Sequence, residues 1–350
     1  MLFEYSSVNG GEQSFLAIAD HLRELGHELI CAVPFHGSLP RALEARELST
    51  VEWDVHEQPA DQSVLRHRLQ GLIERVGPDL VHANSLSMAR LLGPVAESLE
   101  LPSIGHVRDI YRLSKRAIAD VNCNRRLLFV SKATCRFHVQ QGVDPTCAYV
   151  VHNGIAINDR APNPDGSHLG FVGQIGMRKG IDVLLDACAI LRPRFPELKL
   201  TIIGERFSQK EEAVEYERQL RHRAESSELA GVVTWAGWMD NAALIMNQFS
   251  VLVHPARQEP FGRVLLEAAA QEIPIVATDV GGTRELLGAR GVLVAADSVE
   301  QLASAIEETL RDRHAAQERA AAIRDRVEQL FDPLTVARRV SRHYMGEVDR

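Results

Sequence analysis

The run Val251-Leu252-Val253-His254 leads through Pro255-Ala256-Arg257-Gln258-Glu259-Pro260-Phe261-Gly262 into Arg263-Val264-Leu265-Leu266-Glu267-Ala268-Ala269-Ala270. The first four residues are apolar without alternation, as in a strand covered on both faces. The last eight form a good helix pattern. Glu259, Phe261 and Gly262 therefore lie on a strand-to-helix loop, the place where open parallel sheets bind ligands. The backbone N–H groups of Phe261, Gly262 and Arg263 at the helix start can face an anion or polar ligand. Glu267 falls about one turn further in. Two carboxylates at this spacing can accept hydrogen bonds from two separate sets of hydroxyls, which suits a sugar at one end and a ribose at the other. The same spacing also allows Glu267 to pair with Arg263 at i,i+4, with Glu259 a solvated loop acid.

Working outward, the same rhythm covers the chain. Strands are expected at Leu2–Ser6, Leu29–Val33, Leu80–Ala83, Ser103–Val107, Leu127–Val130 and Ala148–Val151. They resume at Leu169–Val172, Lys199–Ile203, Val232–Ala236, Ser250–His254, Pro274–Ala277 and Gly291–Val294. Helix-length amphipathic segments fill the gaps, for instance Gly11–Leu25, Gly180–Leu191 and Ala316–Leu330. Alternating strands and helices predict an α/β chain of two doubly wound, Rossmann-like parallel-sheet domains facing across a cleft. The polar stretch from Asn158 to Ser167 is the best linker. It separates a domain over 1–160 from one over 161–332, with 333–350 left over.

The 350 residues suffice for two full cores. An apolar content of 45% and a charged content of 25% are those of an ordinary globular chain. The net charge of −8 argues against nucleic acid as a partner. No run approaches the apolar length needed to span a bilayer. The start, Met1-Leu2-Phe3-Glu4-Tyr5, reads as a strand and not as a signal peptide. Five cysteines without a CxxC pair fit a reducing cytoplasm and give no metal motif.

Three further loops carry chemistry. Gly10-Gly11 follows the first strand and opens the first helix, where glycine permits close backbone approach. As two glycines in a turn they also fit a plain tight turn. Gly173-Gln174-Ile175-Gly176-Met177-Arg178-Lys179-Gly180 places two adjacent cations just before a helix, able to neutralise a diphosphate or simply to form a basic turn. His106 ends an apolar strand and can reach a ligand hydroxyl, although a lone histidine there also fits a structural role. Residues 106–136 hold eight cations (Arg108, Arg112, Lys115, Arg116, Arg125, Arg126, Lys132 and Arg136) against Asp109 and Asp120. Such a stretch suits a solvated helix face, an anionic acceptor, or contact with anionic lipid.

Together these loops resemble the retaining GT-B glycosyltransferases of family 4, also called glycosyl transferases group 1. Glu259 through Glu267 matches the family's E-x7-E. Ile273 through Gly282, His152-Asn153-Gly154 and Asn9-Gly10-Gly11-Glu12 are similar to further family segments. The resemblance implies that Glu259 binds hydroxyls of the donor sugar. It implies that the backbone of Phe261, Gly262 and Arg263 holds the sugar and phosphate side, and that Glu267 binds the ribose. Arg178 and Lys179 would take the diphosphate, Gly10 and Gly11 would let their loop approach the donor, and His106 would lie near the reacting sugar. The family usually has Arg in the place of Gln174, so one diphosphate cation is missing there, and Arg178 is the nearest substitute. The last segment, Pro333–Tyr344, is implied to cross back onto the N-terminal domain.

The function so implied is transfer of a sugar from a nucleotide-diphosphate sugar, with UDP or GDP the leading nucleotides, in polysaccharide or glycoconjugate synthesis. No cofactor or metal is required by this reading, since no DxD stands in a plausible site. The acceptor would be a carbohydrate, a lipid-linked molecule or a small molecule. Work in the cytoplasm is expected, with peripheral contact at the inner membrane face through residues 106–136. Two other readings fit the same fold: a nucleotide-sugar epimerase, and a non-catalytic nucleotide-sugar-binding protein supported by Gln174. A Rossmann dehydrogenase is disfavoured by the lack of GxGxxG after the first strand.

Overall fold

A computed structural model describes residues 1–56, 61–157, 164, 166–239 and 242–346. The chain divides into two compact units, Met1–Ile155 with Phe331–Arg350, and Ala156–Leu330. Most of the expected linker, 158–163 and 165, lies outside the described residues, as does Asn241, the first residue of a helix expected over Asn241–Gln248.

Unit 1 is built on β1 (Ile30–Val33), β2 (Ser49–Glu52), β3 (Val81–Ala83), β4 (Ser103–Val107), β5 (Arg126–Phe129) and β6 (Ala148–Val150). The expected strand at Leu2–Ser6 shrinks to one residue. Leu2 bridges Ala32 and Ala83 in parallel and so joins β1 to β3. The next residues turn away to carry the loop toward Gly10. With Leu2 as the central rung, the order is β2-β1-Leu2-β3-β4-β5-β6, every pairing parallel. Leu2 and Phe3 are buried to 1% or less, because this rung is covered on both faces.

The helix Pro333–Met345 belongs to unit 1. It begins with Asp332, whose side chain accepts from the Thr335 N–H, and with proline in the first turn. Its buried Val336, Ala337 and Val340 join Phe15, Ile18, Ala19 and Leu22 of the helix Gly10–Glu24 in one core. Ile155 N–H donates to Phe331 O at 2.9 Å, where the chain enters this helix.

Unit 2 carries β7 (His168–Val172), β8 (Lys199–Ile203), β9 (Val233–Gly237), β10 (Val251–His254), β11 (Ile275–Thr278) and β12 (Val292–Val294). Its sheet runs β12-β11-β10-β7-β8-β9, all parallel. This is the doubly wound nucleotide-binding order, and its direction reverses between β7 and β10. In unit 1 the corresponding reversal falls between Leu2 and β3. The reversals open the sheet edge at the loops after β7 and β10 in one unit, and after Leu2 and β3 in the other.

Candidate active site

In unit 2 the loops after β7 and β10 meet backbone to backbone. Gly180, at φ +65°, starts the helix Ile181–Leu191, and a Cβ there would stand 2.0 Å from Pro255 O. The Arg257 N–H donates to Arg178 O at 2.8 Å. The Arg257 guanidinium donates to Met177 O at 2.6 Å, Asp182 Oδ2 at 2.6 Å and Asp297 Oδ1 at 2.6 Å. Arg257 thus clamps the two loops in a fixed relation.

That clamp brings together two residues far apart in sequence. Lys179 Nζ donates to Glu259 Oε2 at 2.6 Å, and His254 Nε2 donates to the same oxygen at 2.8 Å. All three side chains are buried. Burial opposes ionisation of Glu259, yet the Lys179 ammonium and the His254 ring outweigh it and hold the carboxyl well below the usual carboxylate range. Burial, reinforced by the Lys179 charge, lowers His254, so the ring is neutral and gives its Nε2 hydrogen to the carboxylate. The reading of Glu259 as a solvated loop acid is therefore corrected.

Glycines shape the support of Glu259. Gly282 N–H donates to Glu259 O at 3.0 Å. Gly281, at φ +54°, lies so close that a Cβ would stand 1.8 Å from that carbonyl oxygen. Gly281→Ala is expected to push the loop off Glu259 and to destabilise by roughly 1–3 kcal/mol, as overpacking does. Thermal unfolding of the variant checks this, and an unchanged midpoint would refute it.

The helix Arg263–Ala270 starts at Gly262, at φ +94°. Arg263 Nε and Glu267 Oε1 are 3.0 Å apart at i,i+4, so in the free protein Glu267 is paired as the alternative reading had it. Burial raises Glu267 and lowers Arg263, and each partner offsets the other's shift. Phe261 is 1% exposed, so its ring packs into the unit and does not face a ligand. Arg178 donates to Gln174 Oε1 at 3.3 Å, which sets the guanidinium beside the position where the resemblance leads one to expect an arginine.

In unit 1 a second set gathers at the carboxyl ends of the strands. Arg108 donates from Nε to Asn84 O at 3.1 Å, from NH2 to Asn84 Oδ1 at 2.9 Å and from NH1 to Asn153 Oδ1 at 2.6 Å. Its NH2 also lies 3.2 Å from His106 Nδ1. His106 stacks on His82 at 5.4 Å between ring centres. Burial first, then the Arg108 charge, lowers His106 well below its ordinary value, so it is neutral. Asn9 and Glu12 form a capping box that opens the first helix at Gly10, and a Cβ on Gly11 would stand 3.1 Å from Arg108 Cδ.

The basic stretch divides. Arg112, Lys115, Arg116, Arg125, Lys132 and Arg136 are exposed, whereas Arg108 faces the asparagines and Arg126 donates to His343 O at 2.5 Å. Among the described residues no group of three or more His, Cys, Asp or Glu could hold a metal ion. No helix among them is long and apolar enough to cross a membrane.

Sequence reasoning passed over His254, Arg257, Asn84 and Gly281. His254 carried the signal that singled out His106, a histidine at the carboxyl end of an apolar strand. Arg257 and Asn84 gave none, since their roles depend on partners remote in sequence.

Comparison with known proteins bears on this arrangement. Residues 156–327 match the profile described as Glycosyl transferases group 1, and residues 8–159 match Glycosyltransferase Family 4. The chain is 30% identical over 293 residues to a glycogen synthase of Mycobacterium tuberculosis, covering 77% of this chain and 69% of the relative. It is 26% identical over 345 residues to a GDP-mannose-dependent alpha-mannosyltransferase of Mycolicibacterium smegmatis, covering 88% and 86%. Among solved structures, Anabaena HepE in complex with UDP and glucose superposes with a TM-score of 0.85 at 20% identity, covering 99% of this chain and 98% of that one.

Proposed function

We propose that this chain, which belongs to the glycosyl transferases group 1 of Glycosyltransferase Family 4 and has the GT-B fold, moves a glycosyl group from a UDP- or GDP-sugar to a hydroxyl acceptor with retention of configuration. The enzyme class, a glycosyltransferase, follows from the family. The observation that carries the rest is the buried Glu259 carboxylate, ionised between Lys179 and His254 at the reversal of the unit 2 sheet.

In this reading Glu259 accepts hydroxyls of the donor sugar. Lys179, beside it, meets the diphosphate, and Arg178 supplies the second cation that Gln174 lacks. Glu267 exchanges its bond with Arg263 for the ribose hydroxyls. The backbone at Phe261, Gly262 and Arg263 faces the sugar and phosphate side, and the Gly10-Gly11 loop and His106 complete the donor contacts. Breaking the glycosyl–phosphate bond builds negative charge on the leaving diphosphate, which Arg178, Lys179 and the helix starts stabilise. Double displacement would need a carboxylate nucleophile on the opposite sugar face. Glu259 is engaged with cation and imidazole, so same-face attack is favoured, the leaving phosphate taking the acceptor proton. No metal is required by this route. The acceptor is a carbohydrate, a lipid-linked molecule or a small molecule, and the exposed cations between Arg112 and Arg136 suit contact with an anionic membrane surface.

Thermal-shift measurement with UDP, GDP, ADP and TDP and their sugar conjugates tests the donor side. A ligand at about 100 times its Kd stabilises by about 2.7 kcal/mol. One nucleotide family is expected to raise the midpoint, and Glu267→Ala to remove the shift. No shift with any of them would refute the donor assignment. Conversion of donor without acceptor would favour the epimerase.

A further inference from the structure

Among the buried side-chain nitrogens of unit 1 that have no hydrogen-bond partner, Asn84 Nδ2 and His106 Nε2 lie at neighbouring strands. Asn84 is 2% exposed and His106 4%. They stand at the carboxyl ends of β3 and β4, neighbouring strands, beside the reversal of the unit 1 sheet. A buried N–H left unpaired carries its desolvation penalty with nothing to offset it, so an acceptor that reaches it relieves that penalty.

One residue orients both. A guanidinium donates and cannot accept. Arg108 NH2 therefore draws the carbonyl oxygen of Asn84 to itself, and the amide nitrogen must turn away. The same group faces His106 Nδ1, which must present its lone pair, so the neutral ring carries its hydrogen on Nε2. The chemistry of the contact thus selects the amide orientation and the tautomer. Arg108 is itself held by Asn153 and by the Asn84 carbonyl. Over it lies Gly11, where a Cβ would stand 3.5 Å from Asn84 Nδ2, so the glycine keeps side-chain bulk away from that nitrogen.

We infer that Asn84 Nδ2 and His106 Nε2 form a paired donor site for sugar oxygens, and that Arg108 is the positioning residue for both. The inference rests on the glycosyl-transfer reading, and it adds Asn84 as a ligand contact and Arg108 as its support. Sugar hydroxyls accept two such N–H groups without any charge change in the protein. The oxygens belong either to the transferred sugar or to the acceptor.

Asn84→Asp tests the site directly. It keeps an oxygen toward Arg108 and replaces only the outward N–H by an acceptor. With the donor role, transfer falls by roughly 100-fold or more, the loss typical of one removed positioned donor, while the thermal midpoint is kept or raised. A merely structural Asn84 leaves Asn84→Asp near wild-type activity, and that result overturns the assignment. Slow donor hydrolysis without acceptor separates the two sources. If hydrolysis falls with transfer, the oxygens are the transferred sugar's; if transfer alone falls, they are the acceptor's.

Nitrogen-15 NMR of histidine-labelled full-length protein, with His106 identified by His106→Gln, reads the Arg108 role without activity. Wild type and Arg108→Lys are expected to be protonated at Nε2 only, and Arg108→Met to mix tautomers. Protonation of wild-type His106 at Nδ1 would overturn the positioning role. Absence of transfer by the wild type with every donor would instead overturn the activity reading and the sugar assignment of Asn84, leaving the tautomer to judge Arg108.

Discussion

Glu259→Gln is expected to lower transfer by at least 100-fold and to unfold at a clearly lower temperature. The kinetic loss follows from removing a positioned charged acceptor in a water-poor site. The stability loss follows from Lys179, whose buried ammonium is left without its anion; breaking a buried pair from one side costs roughly 3–5 kcal/mol. His254 Nε2 also loses a charged acceptor. Lys179→Met in the Glu259→Gln background removes the orphaned charge, and it should recover much of the stability and none of the activity. The double-mutant cycle separates the two effects. Equal stability of Glu259→Gln and wild type would show that the pair is not held as described. The carboxylate stays ionised throughout the usual assay range, so no acidic limb of the rate profile is expected from it.

Acid sensitivity is the second large effect. His82, His106 and His254 are buried and lowered, first by burial and then by neighbouring cations. His343 is pushed down to about 4 by burial, Arg126 and Arg342. In the unfolded chain these rings take protons below about pH 6.5. Between that value and their folded values the unfolded state binds more protons, so stability rises with pH across this window. Their contribution is complete above about pH 6.5 and is lost as pH falls toward the folded values. Each ring contributes up to about 1.4 kcal/mol per pH unit inside its window. Glu259, depressed in the fold, adds loss in the same direction at lower pH. Thermal midpoints are expected to fall steeply between pH 6.5 and about 4.5. A flat profile over that range would mean the histidines are not buried and neutral as described.

Much of the fold was legible because buried parallel strands are continuous apolar runs. Val251–His254 and Ser103–Val107 could be seen without partners. Ser49–Glu52 was missed because it is an outer strand with three exposed residues of four, polar where a buried strand would be apolar. The helix Lys115–Asn122 carries little apolar signal of its own, because it buries only Ala117 and Val121. In the site, Glu259 and Lys179 could be named singly from their loops, but not their contact, which joins positions 80 residues apart. The Arg263–Glu267 pair was visible as a spacing, since both ends lie on one helix face. Arg108 read as one cation in a basic run, and only the fold turns it toward two asparagines.

Unit 2 is one uninterrupted stretch of chain, whereas unit 1 is closed by the helix Pro333–Met345. On the ribosome, the residues up to Ile155 emerge with part of their core missing, since Val336, Ala337 and Val340 have yet to be made. Unit 2 can fold during that interval, and domains generally fold as units as they appear. The apolar face of the helix Gly10–Glu24 must therefore wait through the synthesis of a whole domain before the helix that covers it exists. Release of a translation product truncated before Pro333 should leave that face open and the fragment prone to aggregate.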